Sequence, residues 1–261
     1  MTTAGDRGAS PAQSPSGTKG LFVSEITEAL LRGDIDLAVH SAKDLPSEDP
    51  PGVVVAAVPE RALPYDVLIT RAVELDDGAR VGTSSLRRRS QLMRSWKDVE
   101  VVDLRGNVDT RLRRVAEGQV DAIVLAAAGL ARLRIQPEHV APIPIEEMVP
   151  APGQGALAVQ TAAGLPAEDV VSSIDHAPSH EAFEAERRLV SLLGGGCRLP
   201  LGAYAERREG LLHMLAIVAT PDGTDLLRSQ VEADTPEGAA EAAAGILRSA
   251  GAEAILEAVR E

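Results

Sequence analysis

The spacing of apolar residues predicts alternating strands and helices through the middle of the chain. Between residues 65 and 150 the predicted order is strand, strand, helix, strand, helix, strand, carried by DVLIT, ARVGT, SLRRRSQLMRSW, VEVVDL, VDTRLRRVAEG and VDAIVLAAAGL. Strands that alternate with helices typically form βαβ units in a mainly parallel sheet. We therefore expect an α/β domain in this region.

The chain before this region predicts one helix followed by one strand. LFVSEITEALLRG has helical spacing of apolar residues and a glycine stop at Gly33. Ile35, Leu37 and Val39 then alternate with other residues in a strand that leads into HSAKDLP. Residues 1–17 are rich in Ser, Pro, Gly, Ala and Thr without periodicity, so we expect a disordered lead there.

The last third of the chain predicts a smaller α+β domain. A proline-rich connection runs into GQGALAVQ, which we expect to return to the first domain as a strand. SHEAFEAERRLVSLLG predicts a helix capped by Ser179, and LGAYAE, LLHMLAIVAT and DLLRSQVEA predict three strands separated by turns. Residues 235–261 predict one helix, or two that break near Gly251.

Length and composition indicate a soluble protein of several small domains. The 261 residues exceed the ~100–150 of a common single domain, and 2% aromatic content means cores of Leu, Val, Ile and Ala. No apolar run approaches the roughly 20 residues of a membrane-spanning helix, so we expect no membrane contact. The sequence carries one cysteine and no apolar leader after a basic start, so we expect a cytoplasmic protein.

Charge is distributed unevenly along the chain. The formal net charge is −13, which argues against binding to nucleic acid. Between Arg80 and Arg114, however, there are ten Lys and Arg residues and only four acidic residues, which gives that segment a charge of +6. A basic segment in an acidic protein indicates a small anionic ligand.

Two basic turns between a strand and a helix are candidates for that anion site. In VGTSSLRRRS, one of Thr83, Ser84 or Ser85 can cap a helix whose first turn contains arginines, although cations there oppose the helix dipole. Nothing in the local sequence accounts for them, whereas a bound anion would. The alternative is that the arginines simply line a solvated helix face.

The second basic turn, DLRGNVDTRLRR, repeats this arrangement with Arg105 in the turn and Arg111 in the first helical turn. Both turns follow strands of the same predicted parallel sheet, so we expect them at one edge, where open α/β sheets bind ligands. Guanidinium groups there favour carboxylate or phosphate. Because neither GxxxxGK[ST] nor GxGxxG is present, we do not expect a nucleotide.

Two further places carry reactive side chains, each with an ordinary structural alternative. The loop HSAKDLP places Lys43 and Asp44 together, either as a surface ion pair or as an acid that stabilises positive charge and relays protons. Cys197 in LLGGGCRLP is either a small packing residue or a reactive thiolate beside Arg198. The five histidines show no metal-ligand spacing, so we expect no metal.

Taken in order, these motifs resemble those of the porphobilinogen deaminase (hydroxymethylbilane synthase) family. The matching segments are KGLF at 19–22, AVHSAKDLP at 38–46, VGTSSLRRRSQL at 81–92, DLRGNVDTRL at 103–112, DAIVLAAAGLARL at 121–133, PGQGALAV at 152–159 and GGGCRLPLGAYA at 194–205. The resemblance implies two α/β domains like those of periplasmic binding proteins, the first incomplete, plus a small α+β C-terminal domain. The implied boundaries are 18–62 with 153–174 for domain 1, 63–152 for domain 2 and 175–261 for domain 3.

The resemblance also implies an activity and its residues. Four porphobilinogens are joined head to tail onto a covalent dipyrromethane cofactor, with loss of ammonia at each step, in a monomer. Asp44 is then the catalytic acid and Cys197 the cofactor attachment. The other implied cofactor contacts are Ser41, Lys43, Thr83, Ser85, Arg87, Arg88 and Arg111, and the implied substrate contacts are Lys19, Arg105, Arg111 and Arg132.

The sequence departs from the family in one large and several small ways. Members begin with a strand-helix-strand unit of roughly 30 or more residues before KGLF, for which this sequence has no counterpart. A misassigned start, a degraded gene and a shortened paralogue that binds pyrrole carboxylates without turnover are the three explanations. The smaller departures are Ser24, Tyr65, Gln160 and Ala162, where the family commonly has Lys, Arg, Glu and Arg.

Overall fold

The strands form three separate sheets in the computed structural model, which describes residues 25–195 and 199–260. The first sheet contains β1 (Ala38–Ser41), β2 (Val53–Ala57) and β8 (Leu157–Ala162). The second contains β3 (Asp66–Thr70), β4 (Ala79–Gly82), β5 (Val99–Val102), β6 (Ala122–Ala126) and β7 (Val140–Pro142). The third contains β9 (Leu201–Arg208), β10 (Leu211–Ala219) and β11 (Leu226–Ala233).

Eight α-helices cover these sheets within the described ranges. They are α1 (25–31), α2 (Leu86–Ser95), α3 (Val108–Ala116), α4 (Ala127–Leu133), α5 (Pro166–Ser172), α6 (Ala177–Leu192), α7 (Pro236–Ser249) and α8 (Ala252–Arg260). The expected mixed α/β fold is confirmed. None of the described helices is both long and apolar enough to cross a membrane.

In the first sheet, β8 lies between β1 and β2 and is antiparallel to both. The prediction that GQGALAVQ returns to the first sheet as a strand is therefore confirmed. On one face, Leu30 of α1 packs with Ala38 and Val53. On the other face, α5 covers β2 and β8 through Val171.

The burial of β1 is the reverse of what its apolar pattern indicates. Leu37 and Val39 are 44% and 56% exposed, whereas Ala38 and His40 are buried, and the strand begins at Ala38 rather than at Ile35. An alternating pattern identifies two faces but not the face that another element covers. Here α1 packs on the face of Ala38, and no described element covers Leu37 and Val39.

The second sheet has the order β5-β4-β6-β3-β7 and is mixed, so the expectation of a mainly parallel sheet is wrong. β4 pairs in parallel with β5 and β6, because α2 and α3 cross between these strands. β3 is antiparallel to β6 and β7. The chain passes from β3 to β4 without a helix, and the two strands run in opposite directions.

A second correction concerns VDAIVLAAAGL, which the pattern predicted as one strand. The strand β6 ends at Ala126, and α4 begins at Ala127. Alanine and leucine have high helix propensity, so the AAAGL portion continues as a helix once the chain leaves the sheet. The change places Arg132 in the last turn of α4 instead of beyond a strand.

The third sheet is antiparallel in the order β11-β10-β9, and the three predicted strands, separated by short turns, are all present. The helices α6 and α7 pack on one of its faces. The C-terminal helix is broken near Gly251 into α7 and α8. Ser179 does not cap α6, because His176 precedes the helix and makes no side-chain cap. Instead the Ser179 hydroxyl accepts a hydrogen bond from the Arg61 backbone N–H at 2.9 Å.

Candidate active site

Backbone contacts help to hold the loop that contains Asp44. After β1 the chain forms a short 3-10 helix, Ala42–Asp44, and the buried Ala42 donates its N–H to the Ala156 carbonyl at 3.1 Å. Gly153 packs so closely that a Cβ there would lie 2.8 Å from the backbone nitrogen of Lys43, and its φ is +73°. Only glycine fits both constraints. Lys43 and Asp44 are partly exposed beside this contact.

The segment Gly153–Gly155 connects this loop with the arginine-rich sheet, and we call it the junction. Gln154 donates through its Nε2 to Oδ1 of Asp66 at 2.9 Å and to the Pro64 carbonyl at 2.7 Å. Arg132 donates to the carbonyl of Gly155 at 2.7 Å. One short segment therefore contacts the Asp44 loop, Asp66 and Arg132.

Arg87 and Arg88 share one buried carboxylate, that of Asp66, and we call these three residues the Asp66 cluster. Arg88 approaches side-on, with Nη2 2.7 Å from Oδ1 and Nε 3.2 Å from Oδ2, and Arg87 places Nη2 2.8 Å from Oδ2. The remaining Nη1 groups donate to the carbonyls of Val149 and Val124. Asp66 is fully buried, and the two arginines are 4% and 7% exposed.

The electrostatics of this cluster follow from its burial. Burial alone raises the pKa of Asp66, but the charges and hydrogen bonds of Arg87 and Arg88 outweigh it and hold that pKa well below the usual range. Burial lowers the pKa of Arg87, and the Asp66 charge opposes that effect. The carboxylate is therefore ionised at neutral pH.

Asp66 is the site residue that sequence reasoning missed. The local sequence contains no partner for the cations in the first turn of α2, and in the fold Asp66 of β3 supplies the compensating charge. The available signal was an acidic residue at the first position of the otherwise apolar strand DVLIT. A carboxylate that begins a buried strand needs a cationic partner.

The hydroxyls before α2 take defined roles. Ser85 is the cap of α2, and its Oγ accepts the Arg88 backbone N–H at 3.4 Å. The Thr83 side chain is buried and accepts the Ser85 N–H at 3.2 Å. Ser41 ends β1 immediately before the Asp44 loop. The hydroxyls of Thr83 and Ser85 thus lie beside the Asp66 cluster.

Two other predicted arginines are more accessible than Arg87 and Arg88. Arg111 is partly exposed, and its Nε donates to the Gly106 carbonyl at 2.8 Å. Burial lowers the pKa of Arg111, the Arg88 charge lowers it further, and Asp103 opposes both. Arg105 is exposed beside Asp103, with 3.3 Å between Nε and Oδ2. Arg111 therefore lies within the electrostatic field of the buried cluster.

Lys19 and Cys197 lie outside the described residues. The chain that leads to Cys197 is described as far as Gly195, where a Cβ would lie 2.9 Å from the Ser47 hydroxyl. Arg187 of α6 donates to the Pro46 carbonyl at 2.8 Å and pairs with Asp49. The segment after Asp44 is therefore packed against the helix that precedes the cysteine.

Asp49 also explains one of the sequence departures. Gln160 is fully buried and donates through Nε2 to Oδ1 of Asp49 at 2.8 Å. A glutamate at position 160 would place a second carboxylate beside Asp49, whereas the amide donates to it. Among the described residues, no group of three or more His, Cys, Asp or Glu is arranged to hold a metal ion.

Known proteins resemble this chain over nearly all of its length. Residues 1–167 match the family model "Porphobilinogen deaminase, dipyromethane cofactor binding domain", and residues 181–249 match "Porphobilinogen deaminase, C-terminal domain". The porphobilinogen deaminase of Desulforudis audaxviator is 47% identical over 100% of this chain and 86% of the relative. That of Thermus thermophilus is 45% identical over 91% of this chain and 79% of the relative.

Among solved structures, a periplasmic binding protein from Brucella ovis with glutathione bound is similar at 16% identity. Its TM-score is 0.37, and the match covers 61% of this chain and 51% of that chain. This likeness is distant, so the assignment of a family comes from the sequence matches. On those matches, this chain belongs to the porphobilinogen deaminase family.

Proposed function

We propose that this chain is a hydroxymethylbilane synthase, which condenses four porphobilinogen molecules head to tail with loss of ammonia at each step. The observation that carries the proposal is the junction, because it contacts both halves of the expected site. Gly153 packs on the backbone of Lys43 in the Asp44 loop, and Gln154 donates a hydrogen bond to Asp66 of the Asp66 cluster. One short segment thus contacts both the loop of the proposed acid and the carboxylate of the proposed anion site.

We assign Asp44 the catalytic role. Porphobilinogen condensation develops positive charge on pyrrole nitrogen as the amine departs, and a fixed carboxylate stabilises such charge. The close packing of Gly153 and the hydrogen bond from Ala42 to Ala156 support this role, because they fix the loop that carries the acid. Lys43 and Ser41, on either side of Ala42, are proposed contacts for carboxylate groups.

The residues present fit the dipyrromethane cofactor implied by the family. Dipyrromethane carries several carboxylates, and the Asp66 cluster holds two arginines against one aspartate in a buried place. Cys197 would attach the group, and bound there it supplies the primer to which porphobilinogen units are added. We propose that Thr83, Ser85, Arg87, Arg88 and Arg111 contribute to its binding, with Arg105, Arg111, Arg132 and Lys19 serving the substrate.

The three-domain division also remains part of this proposal. The boundaries expected from the sequence are 18–62 with 153–174, 63–152 and 175–261. The three separate sheets support them, since each sheet is built from strands of one such range. We likewise propose a cytoplasmic monomer.

The test is intact-protein mass spectrometry after expression with ample porphobilinogen. We expect a mass gain of one dipyrromethane, absent in Cys197→Ser, together with consumption of porphobilinogen. Asp44→Asn should lower that consumption at least ~100-fold, whereas the control Asp36→Asn should not. A chain that gains the mass without consuming porphobilinogen would be a noncatalytic pyrrole binder, and an unmodified chain would refute the proposal.

A further inference from the structure

Arg87 and Arg88 form a buried pair of like charges that only one described carboxylate is seen to neutralise. Apart from Asp66, their side chains donate to neutral carbonyl oxygens, those of Val149 and Val124. Two cations and one anion leave a net charge of +1 inside the protein. A buried charge without a compensating charge raises the free energy of the folded protein, so this arrangement favours the binding of a further anion.

Asp66 keeps this pair together. Both arginines lie in the first turn of α2, where the helix dipole disfavours cations, and burial disfavours their charged forms further. Without a carboxylate between them, mutual repulsion would drive the guanidinium groups apart and towards water. The side-on contact of Arg88 also fixes the plane of its guanidinium group, which a single hydrogen bond would leave free to rotate.

The positive charge of this pair affects Arg111, which is a more accessible arginine. Burial and, after it, the Arg88 charge lower the pKa of Arg111, which is partly exposed in the first half of α3. The same carboxylate receives Gln154 of the junction, so its position is tied to the segment that contacts the Asp44 loop. Asp66 therefore sets both the spacing of the cations and their placement relative to that loop.

We propose that Asp66 is a positioning residue for the anion site, holding Arg87 and Arg88 in place so that their uncompensated charge, with Arg111, binds the carboxylates of the pyrrole ligands. The inference rests on the proposed function, since it takes pyrrole carboxylates as the ligand. It assigns to Asp66 a role that requires no contact between Asp66 and the ligand.

The test compares Asp66→Asn with Asp66→Glu in the full chain. Asp66→Asn removes the charge that holds the two arginines in place. We expect the KM for porphobilinogen to rise at least ~10-fold while kcat changes less than ~3-fold, because the displaced arginines lose binding contacts to the ligand carboxylates. The fraction of chains that carry dipyrromethane mass should fall as well. Asp66→Glu keeps the charge, so despite the overpacking of a buried site its KM should stay within ~3-fold of wild type.

Two controls separate positioning from loss of stability. Leu247→Ala creates a cavity in the third domain and destabilises the chain without contacting the cluster. Asp121→Asn removes an aspartate that pairs with Arg80. Asp121 immediately precedes β6, whose far end at Ala126 pairs with Asp66. Both should keep wild-type KM and cofactor content per folded chain. An Asp66→Asn chain that matches Leu247→Ala in both quantities would overturn the proposal.

If Asp66→Asn yields no folded protein, Gln154→Leu provides the second route. It removes one hydrogen bond to Asp66 and leaves every charge in place, so we expect a smaller rise in KM in the same direction. In that case, an unchanged KM in Gln154→Leu would reject positioning by Asp66. Failure of the proposed function is distinguishable, because the wild-type chain itself would then gain no dipyrromethane mass or would consume no porphobilinogen.

Discussion

Arg187 of α6 binds both carboxylate oxygens of Asp49, with Nη1 2.8 Å from Oδ2 and Nη2 2.8 Å from Oδ1. The same guanidinium donates through Nε to the Pro46 carbonyl. All three nitrogens of one side chain are thus engaged with the segment that follows Asp44. This ties the first sheet to the helix that leads towards Cys197.

We expect Arg187→Lys to lower the free energy of unfolding by about 1–2 kcal/mol, because lysine keeps the charge but cannot form the bidentate contact with Asp49. Urea denaturation followed by circular dichroism measures this. Arg188→Lys, at the adjacent exposed position, is the matched control. Equal effects of the two substitutions, within ~0.5 kcal/mol, would show that the paired geometry contributes nothing.

Glu186 should be among the most sensitive positions for stability. It is fully buried, and its carboxylate accepts two hydrogen bonds from Arg61 as well as the backbone N–H groups of Gly153 and Ala205. Glu186→Gln leaves the Arg61 charge uncompensated in a place only slightly accessible, so we expect a loss of ~3 kcal/mol or more. Differential scanning calorimetry should show the change, and Glu241→Gln on the exposed side of α7 should leave the transition unmoved.

Gly223 and Gly210 offer a matched pair for testing the contact between α2 and the third sheet. Both have positive φ, +71° and +86°, but a Cβ at Gly223 would lie 2.4 Å from the Ser90 carbonyl, whereas nothing lies within 4 Å at Gly210. We expect Gly210→Ala to cost about 1 kcal/mol, the penalty for the left-handed backbone alone. Gly223→Ala should cost more and should raise hydrogen exchange in α2. Equal costs would mean that this close approach does not matter.

His40 should make the protein less stable in mild acid. Burial lowers the pKa of His40, although the Asp44 charge opposes this, and no described residue hydrogen-bonds to its buried Nε2. The unfolded chain, with a histidine pKa near about 6.5, then binds a proton before the folded chain does, so acidification favours unfolding. This stability is fully present above that pH and is lost as pH falls through the lower, folded-state pKa.

The comparison uses His40→Gln, which is neutral throughout. Urea unfolding at pH 8, 7, 6 and 5 should give a constant difference from wild type above about pH 7. Below about pH 6.5 the wild type should lose stability relative to the variant. Parallel curves over the whole range would contradict the role assigned to His40.

Local patterns predicted most elements because their cause is local. The three strands of the third sheet, the return strand β8 and the break near Gly251 follow from alternation, turns and glycine. The errors arose where a distant element decides the outcome. Which face of β1 is buried depends on where α1 packs, and the direction of β3 depends on how the chain crosses between sheets.

The site divides in the same way. The motifs located the Asp44 loop and both arginine turns, which are contiguous in sequence. The carboxylate between Arg87 and Arg88 comes from a strand about twenty residues earlier, and Glu186 reaches Arg61 from 125 residues away. The sequence alone does not show which distant residues meet in the fold. Counting charges within one segment therefore does not identify an ion-pair partner that comes from another segment.

The central place of β8 in the first sheet has a consequence for biosynthesis. β2 ends at Ala57, yet the strand that pairs with both β1 and β2 starts only at Leu157. As the chain leaves the ribosome, all five strands of the second sheet emerge before that partner does. The middle of the chain can therefore fold first. Until β8 has been synthesised, β1 and β2 lack their strand partner, and unpaired strands are prone to misassembly.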